Sequence, residues 1–180
     1  SIAVNVAVTD NTAVIADGAA IMAGGYVTVS AVNDTDATAY GRGNALMSDT
    51  SVGASVAANV AVTENSAFLG GTVTSGTTTS EGITVEAVNP NGDENTFAAQ
   101  AYSLGGGKDT GGAGSLGLNV LVMTTESAVN PSAVLTSYGG ITVKSENRVA
   151  VQNIAAGMGI GFGDTGVGVS IAANIVVNDT

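Results

Sequence analysis

The chain has 180 residues with no Cys and no His, which excludes a disulfide framework, thiol chemistry and any Ser-His-Asp or Cys-His site. Four basic residues (Arg42, Lys108, Lys144, Arg148) stand against 15 acidic ones, for a net charge of −11, so there is no basic footprint for nucleic acid and an anionic membrane surface repels the chain. Charged residues are 11%, against roughly 25% in ordinary globular proteins, while 44% of residues are apolar and 26 are Gly, a composition that suits closely stacked β-structure rather than disorder.

The chain opens with "SIAVNVAVTDN" (Ser1 to Asn11), in which Ile2, Val4, Val6 and Val8 share one face of a strand and Asn5 lies on the other. The turn signal Ala16-Asp17-Gly18 leads to "GGYVTVSAVN" (Gly24 to Asn33), where Val27 and Val29 alternate with Thr28 and Ser30. A turn at Asn33 to Asp36 and the pair Asp49-Thr50 close this stretch. The same order then recurs. "SVAANVAVTEN" (Ser55 to Asn65) precedes "EGITVEAVN" (Glu81 to Asn89) and Asp109-Thr110; "SLGLNVLVMTT" (Ser115 to Thr125) precedes "GGITVKSEN" (Gly139 to Asn147) and Asp164-Thr165; "SIAANIVVNDT" (Ser170 to Thr180) starts the order once more. In "GMGIGFG" (Gly157 to Gly163) the apolar residues alternate with Gly. No helix follows to make a dinucleotide site, so this reads as a strand whose Gly face allows close sheet contact.

The period inside every stretch is 2, with no helical stripe. The opening strands align on Asn5, Asn59, Asn119 and Asn174, at spacings of 54, 60 and 55. Such self-similarity predicts an all-β fold, a parallel β-helix-like β-solenoid of repeats about 55 residues long, with an antiparallel β-sandwich array as the alternative. Residues 1–180 form one array, with units of approximately 1–50, 51–110 and 111–165 and a partial unit 166–180. It is expected to be a fragment of a longer chain. The extra residues of the second unit fall in the polar segments "TSGTTTSEG" and "NPNGDENT", as loops projecting from a stacked core do.

The four Asn residues are the candidate structural positions. Asn59 has Ala57 and Ala61 for neighbours on its face, so that face is covered, and an unpaired buried amide there costs about 1–3 kcal/mol. Three readings are open: amide pairing along the stack, as in cross-β ladders; a bulge or strand end; or contact with a ligand. A ladder needs equivalent positions about 4.8 Å apart, hence one unit per level of the stack. The valine face is expected to be the buried one, so that Val60→Asp destabilises far more than Thr78→Asp in the second-unit loop.

No enzymatic activity is expected. Only a carboxylate pair, as in polysaccharide-cleaving β-helix enzymes, survives the composition, and the acidic residues lie in turns without flanking aromatics and Arg. No cofactor is expected. Calcium is the weak alternative, at "NDTD" (Asn33, Asp34, Asp36) or "GGGKDTGGAG" (Gly105 to Gly114), neither of which keeps a calcium-binding repeat spacing.

The segment "TAVIADGAAIMAGGYVTVSAV" (Thr12 to Val32) resembles one coil of the filamentous-haemagglutinin-like passengers of large bacterial adhesins. The wider repeat resembles the giant repetitive surface proteins of the leukotoxin-like and filamentous-adhesin group, over nearly all of the chain. This resemblance implies a β-solenoid, an extracellular or cell-surface location and an adhesive or structural role as a stiff rod, with a self-assembling filament or sheath subunit as the alternative. It implies no catalytic residue. The units depart from it in length, being too long for one ordinary coil of roughly 20 residues: each makes either several coils or one wide one. The expected partners are neighbouring repeats of the parent chain or other copies docked end to end, and host or cell-surface ligands. Neither nucleic acid nor membrane insertion is expected.

Overall fold

The computed structural model describes residues 1–180 and contains no helix, with 74% of residues in strands. The first unit runs through β1 (Ile2–Ile15), β2 (Ala20–Ala23), β3 (Val27–Val32) and β4 (Ala37–Leu46). The second contributes β5 (Thr50–Leu69), β6 (Thr72–Ser75), β7 (Ile83–Val88) and β8 (Asn95–Gly107). The third contributes β9 (Thr110–Val129), β10 (Val134–Ser137), β11 (Ile141–Ser145) and β12 (Val149–Gly161), and β13 (Thr165–Asp179) follows.

These strands form four parallel sheets, ordered β1-β5-β9-β13, β2-β6-β10, β3-β7-β11 and β4-β8-β12. Each unit therefore places one strand in each sheet, directly over its counterpart. Register is continuous: Asn5 pairs with Asn59, Asn59 with Asn119 and Asn119 with Asn174. Parallel pairing between levels excludes the antiparallel alternative. The broad first sheet packs across the interior against the third and fourth, and the short second sheet closes the corner between the first and third.

Side-chain size grades the interior from one end to the other. Near the corner the fill is Leu69, Val73, Ile83 and Val85. Further along β5 the small Ala61 packs against the large Phe97, Leu121 and Met123, and beyond Asn59 the fill falls to Ala57 against Ala39, Ala99 and Ala101. Next come hydroxyls, with Ser115 Oγ 3.2 Å from Ser55 Oγ and 2.8 Å from Ser103 Oγ. At the far edge there is no side chain at all: a Cβ on Gly43 would strike the Ala54 carbonyl, and one on Gly105 the Gly112 carbonyl. The two layers converge to backbone contact, so the Gly-rich stretches around Gly105 and Gly159 are packing surfaces, as their alternation with larger residues predicts.

The same grading overturns the expectation for the valine face. Val27, Val29, Ile83 and Val85 point inward, as expected. In the broad sheet, however, the inward face is Ser55, Ala57, Asn59 and Ala61, and the valines point outward. Val6 and Val8 are 69% and 73% exposed, and Val60, flanked by Val6 and Val120 one level below and above, is half-buried. Beside Asn59 the interior takes Ala and Ser on β5, and the valines of that strand stack along the outer face instead.

Two outcomes are expected in urea unfolding. Ala61→Asp, a charge driven into the interior, should destabilise by several kcal/mol (about 3–5), whereas Val60→Asp on the outer face should cost only about 1 kcal/mol. Gly105→Ala should lose about 1–3 kcal/mol by overpacking, whereas Gly114→Ala, whose Cβ meets nothing within 4 Å, should stay within about 1 kcal/mol of the parent. Equal midpoints within either pair would contradict the inward and outward assignments.

Candidate functional site

The four aligned Asn residues form one column. Asn5 Nδ2 donates to Asn59 Oδ1 (3.0 Å), Asn59 Nδ2 to Asn119 Oδ1 (2.9 Å) and Asn119 Nδ2 to Asn174 Oδ1 (2.9 Å). Each of the three donors also reaches across the interior to a carbonyl of the fourth sheet: Asn5 to Thr38 (2.6 Å), Asn59 to Ala98 (2.8 Å) and Asn119 to Gln152 (3.1 Å). Asn is suited to this place because the layers lie near enough for a short amide to span them, with Ala57 and Ala61 flanking Asn59 and Gly117 and Leu121 flanking Asn119. Asn59 and Asn119 are fully buried. Every hydrogen-bonding group of the Asn59 side chain is directed at protein.

A second column was not read from the sequence. Asn11, Asn33, Asn95, Asn147 and Asn178 are linked in order, each Nδ2 donating to the next Oδ1 at 3.1, 3.0, 2.8 and 2.8 Å. Its signal was the Asn that ends "AVN", "AVN" and "SEN". The second-unit loop disguises it, because Asn95 after the loop takes the column position while Asn89 bonds sideways to the Asn33 carbonyl (3.0 Å) and accepts from Arg148 N–H (2.6 Å).

Two of the three residues weighed as cation ligands in Asn33 to Asp36 are hydrogen-bonded within the protein. The Asn33 amide is buried and committed to its column, and Asp36 Oδ1 accepts from Thr96 N–H (2.8 Å). Asp34, Asp36, Asp93 and Glu94 border an open recess that holds no aromatic or basic side chain. No group of three or more acidic side chains is arranged to hold a metal ion. In Gly105 to Gly114, Gly105, Gly107 and Gly111 lie against facing backbone, whereas Gly114 faces open space.

A groove of about 440 Å³ runs over the outer face of the fourth sheet, lined among others by Tyr40, Arg42, Asn44, Tyr102 and Met158. The Tyr40 and Tyr102 rings lie 5.7 Å apart. The groove has aromatics and a guanidinium but no carboxylate; the acidic recess has carboxylates but neither of the others. The parts a sugar-cleaving site combines are thus held apart.

Three carboxylates, Asp17 exposed and Glu81 and Glu146 partly buried, lock turns. Asp17 accepts from Asn130 (3.1 Å) and Ser132 (2.9 Å), two levels away, in a gap that exists because the intervening residue is Gly70. Those two bonds, Asn130 foremost, hold its carboxyl below the usual range. Thr77 and Thr78 backbone N–H groups do the same for Glu81, and Lys144, with Arg148 beside it, does so for Glu146.

Compared with known proteins, the chain matches no family model, no curated sequence and no solved structure. No helix is long and apolar enough to cross a membrane.

Asn59→Ala should destabilise by about 2–4 kcal/mol, because the Asn119 oxygen and the Ala98 carbonyl each lose a donor in the interior. Asn59→Asp should be worse, since it sets a buried charge against two acceptors. Asn174→Ala, at an exposed member of the column, should cost least, and equal denaturation midpoints across these variants would remove the column from the stability of the fold. With their values lowered, Asp17, Glu81 and Glu146 add stability that is complete above the ordinary carboxylate range and is lost as pH falls through the lowered values. Asp17→Asn with Glu81→Gln should therefore shrink the difference in melting temperature between neutral and strongly acid solution.

Proposed function

We propose that the chain is a β-solenoid segment: a non-enzymatic, structural or adhesive repeat module of a secreted bacterial surface protein. The observation that carries this reading is the unbroken in-register pairing of each unit with the next in all four sheets, stitched by an Asn column. Each unit buries its inner face only against its neighbours, so stability grows with the number of units. The resemblance of Thr12 to Val32 to adhesin passengers supports the extracellular address.

The unit length shapes the mechanical role. One level rises about 4.8 Å while its longest strand, β5, extends about 66 Å. Two layers about 10 Å apart give a thin section. The module is a stiff blade, broad and thin, rather than a narrow stalk.

A filament subunit is the second reading, and the polarity of the column is compatible with it as with a longer chain. Asn5 Oδ1 receives no donor and Asn174 Nδ2 has no acceptor, so the last level is complementary to the first. A further unit of a longer chain or the first level of another copy satisfies them equally.

Electron micrographs of proteins carrying increasing numbers of units provide the test. Length along the stack should increase by about 4.8 Å per unit at constant breadth. An increase of about 14 Å or more per unit, or compact particles whose breadth grows with unit number, would overturn the one-unit-per-level blade.

A further inference from the structure

The outer face of the broad sheet is an unusual surface. On β1, β5, β9 and β13 the outward positions from the level of Val52 to that of Val62 are all Val, Ile, Leu, Ala or Gly, with no polar side chain among them. Charges begin only at the margins, at Asp10, Glu64 and Asp179 on one side and Asp49, Asp109 and Asp164 on the other. With strands about 4.8 Å apart and residues rising about 3.3 Å, the face covers about 600 Å². That reaches the upper end of the largest apolar patches seen on monomers, about 300–600 Å². It also approaches the roughly 800 Å² that each partner contributes to a stable interface.

We propose that this face docks on the same face of a second copy of the chain, two broad sheets packing as in a β-sandwich about a two-fold axis that runs parallel to the strands, midway between β5 and β9. This goes beyond the structural role above and does not depend on pairing at the ends of the stack. The area of the face, together with its relief at two columns, points to a second copy as the occupant. Two of its columns alternate in size, Val4, Ala58, Leu118, Ala173 and Val52, Gly112, Val167, whereas those of Val56, Val60 and Val62 are uniformly large. The proposed axis lays β5 over the partner's β9, and β1 over its β13. Leu118 of one copy then meets Ala58 of the other, Val4 meets Ala173 and Val52 meets Gly112, a large residue over a small one at these three places, while Val60 meets Val120 and Val56 meets Leu116 as large apolar pairs. Aligned sheet packing needs this interdigitation at about 10 Å separation. Acidic margins on both sides oppose an anionic lipid surface. They also oppose one another across the dimer, with Asp10 near the partner's Asp179, so association should strengthen as salt screens them.

The decisive measurement is sedimentation equilibrium of the 180-residue protein over a concentration series at low and high salt. A monomer–dimer equilibrium is expected, tightening with salt. Val60→Lys should abolish it. Ala58→Leu, which sets Leu against Leu, should weaken it about tenfold or more. The exchange Ala58→Leu with Leu118→Ala should restore the affinity to within a few-fold, because the axis pairs those two positions. Circular dichroism of each variant confirms that the fold is retained, and Ala58→Leu carries the test if Val60→Lys does not fold. A monomer at every concentration in high salt would overturn the proposal. So would association that ignores Val60→Lys and Ala58→Leu, which marks end-to-end stacking, and so would failure of the exchange to restore the dimer. Flotation with phosphatidylcholine vesicles addresses the remaining occupant: monomer binding to vesicles, lost in Val60→Lys and without a dimer, would assign the face to lipid.

Discussion

A single carboxamide per level sets the terms for the rest of the molecule. Asn59 must donate to the level above, accept from the level below and donate again across the interior. The axial bonds fix the register, since parallel strands that slip by one residue turn every side chain to the opposite face. The transverse bond fixes how far apart the two layers stand, because a short amide spans only a narrow gap. Ala57 and Ala61 beside it follow from that distance, and the glycines beyond follow from the convergence it begins. A larger residue at the column would part the layers, and a purely apolar one would leave the Ala98 carbonyl without its donor.

Much of this was legible. Period-2 alternation gave all-β structure, and the alignment of Asn5, Asn59, Asn119 and Asn174 anticipated the strand register residue by residue. Amide pairing was one of three readings the sequence left open, raised by the cost of an unpaired buried Asn and the spacing of a parallel sheet. The sidedness of the broad sheet was not legible, because hydrophobicity alone points valines inward. The competing signal was volume: Ala, Ser, Gly and Asn on the second face are too small and too uniform for solvent. Periodicity ranks faces by polarity, whereas a thin two-layer stack selects them by size. The second Asn column was hidden for another reason. An insertion moved its middle member from Asn89 to Asn95, and linear alignment keeps equivalent letters together rather than equivalent places.

The loops show which positions tolerate such length changes. The second unit is longest, and its additions lie at Gly76 to Ser80 and Pro90 to Glu94, each closed by local bonds. Glu81 holds the first by accepting from Thr77 and Thr78. Asn89 and Asn95 bracket the second and return the chain to register. Neither addition disturbs an inward position. The rigid part of the design is thus the grading of the interior, and the chain between sheets is free to vary at the edges.

Turning the β-branched residues outward does not leave them wholly in water. Stacked about 4.8 Å apart, each column of side chains shields itself; Val60 is half-buried between Val6 and Val120, and Ala58, although it faces outward, is 9% exposed. Adding a level therefore buries apolar surface on both faces of the broad sheet at once, inside by packing across the layers and outside by stacking along the column. The outer contribution remains incomplete, since the tips of the columns still face solvent. The acidity of the margins and turns is the counterweight that keeps such a surface dispersed. A narrower coil would have little room for a flat face of this breadth. A level long enough to hold a 20-residue strand does, and its breadth grows into area with every unit added. The physical consequence of the long repeat is therefore less a longer reach than a broad, regular wall, whose strength of association is set by the number of levels that present it.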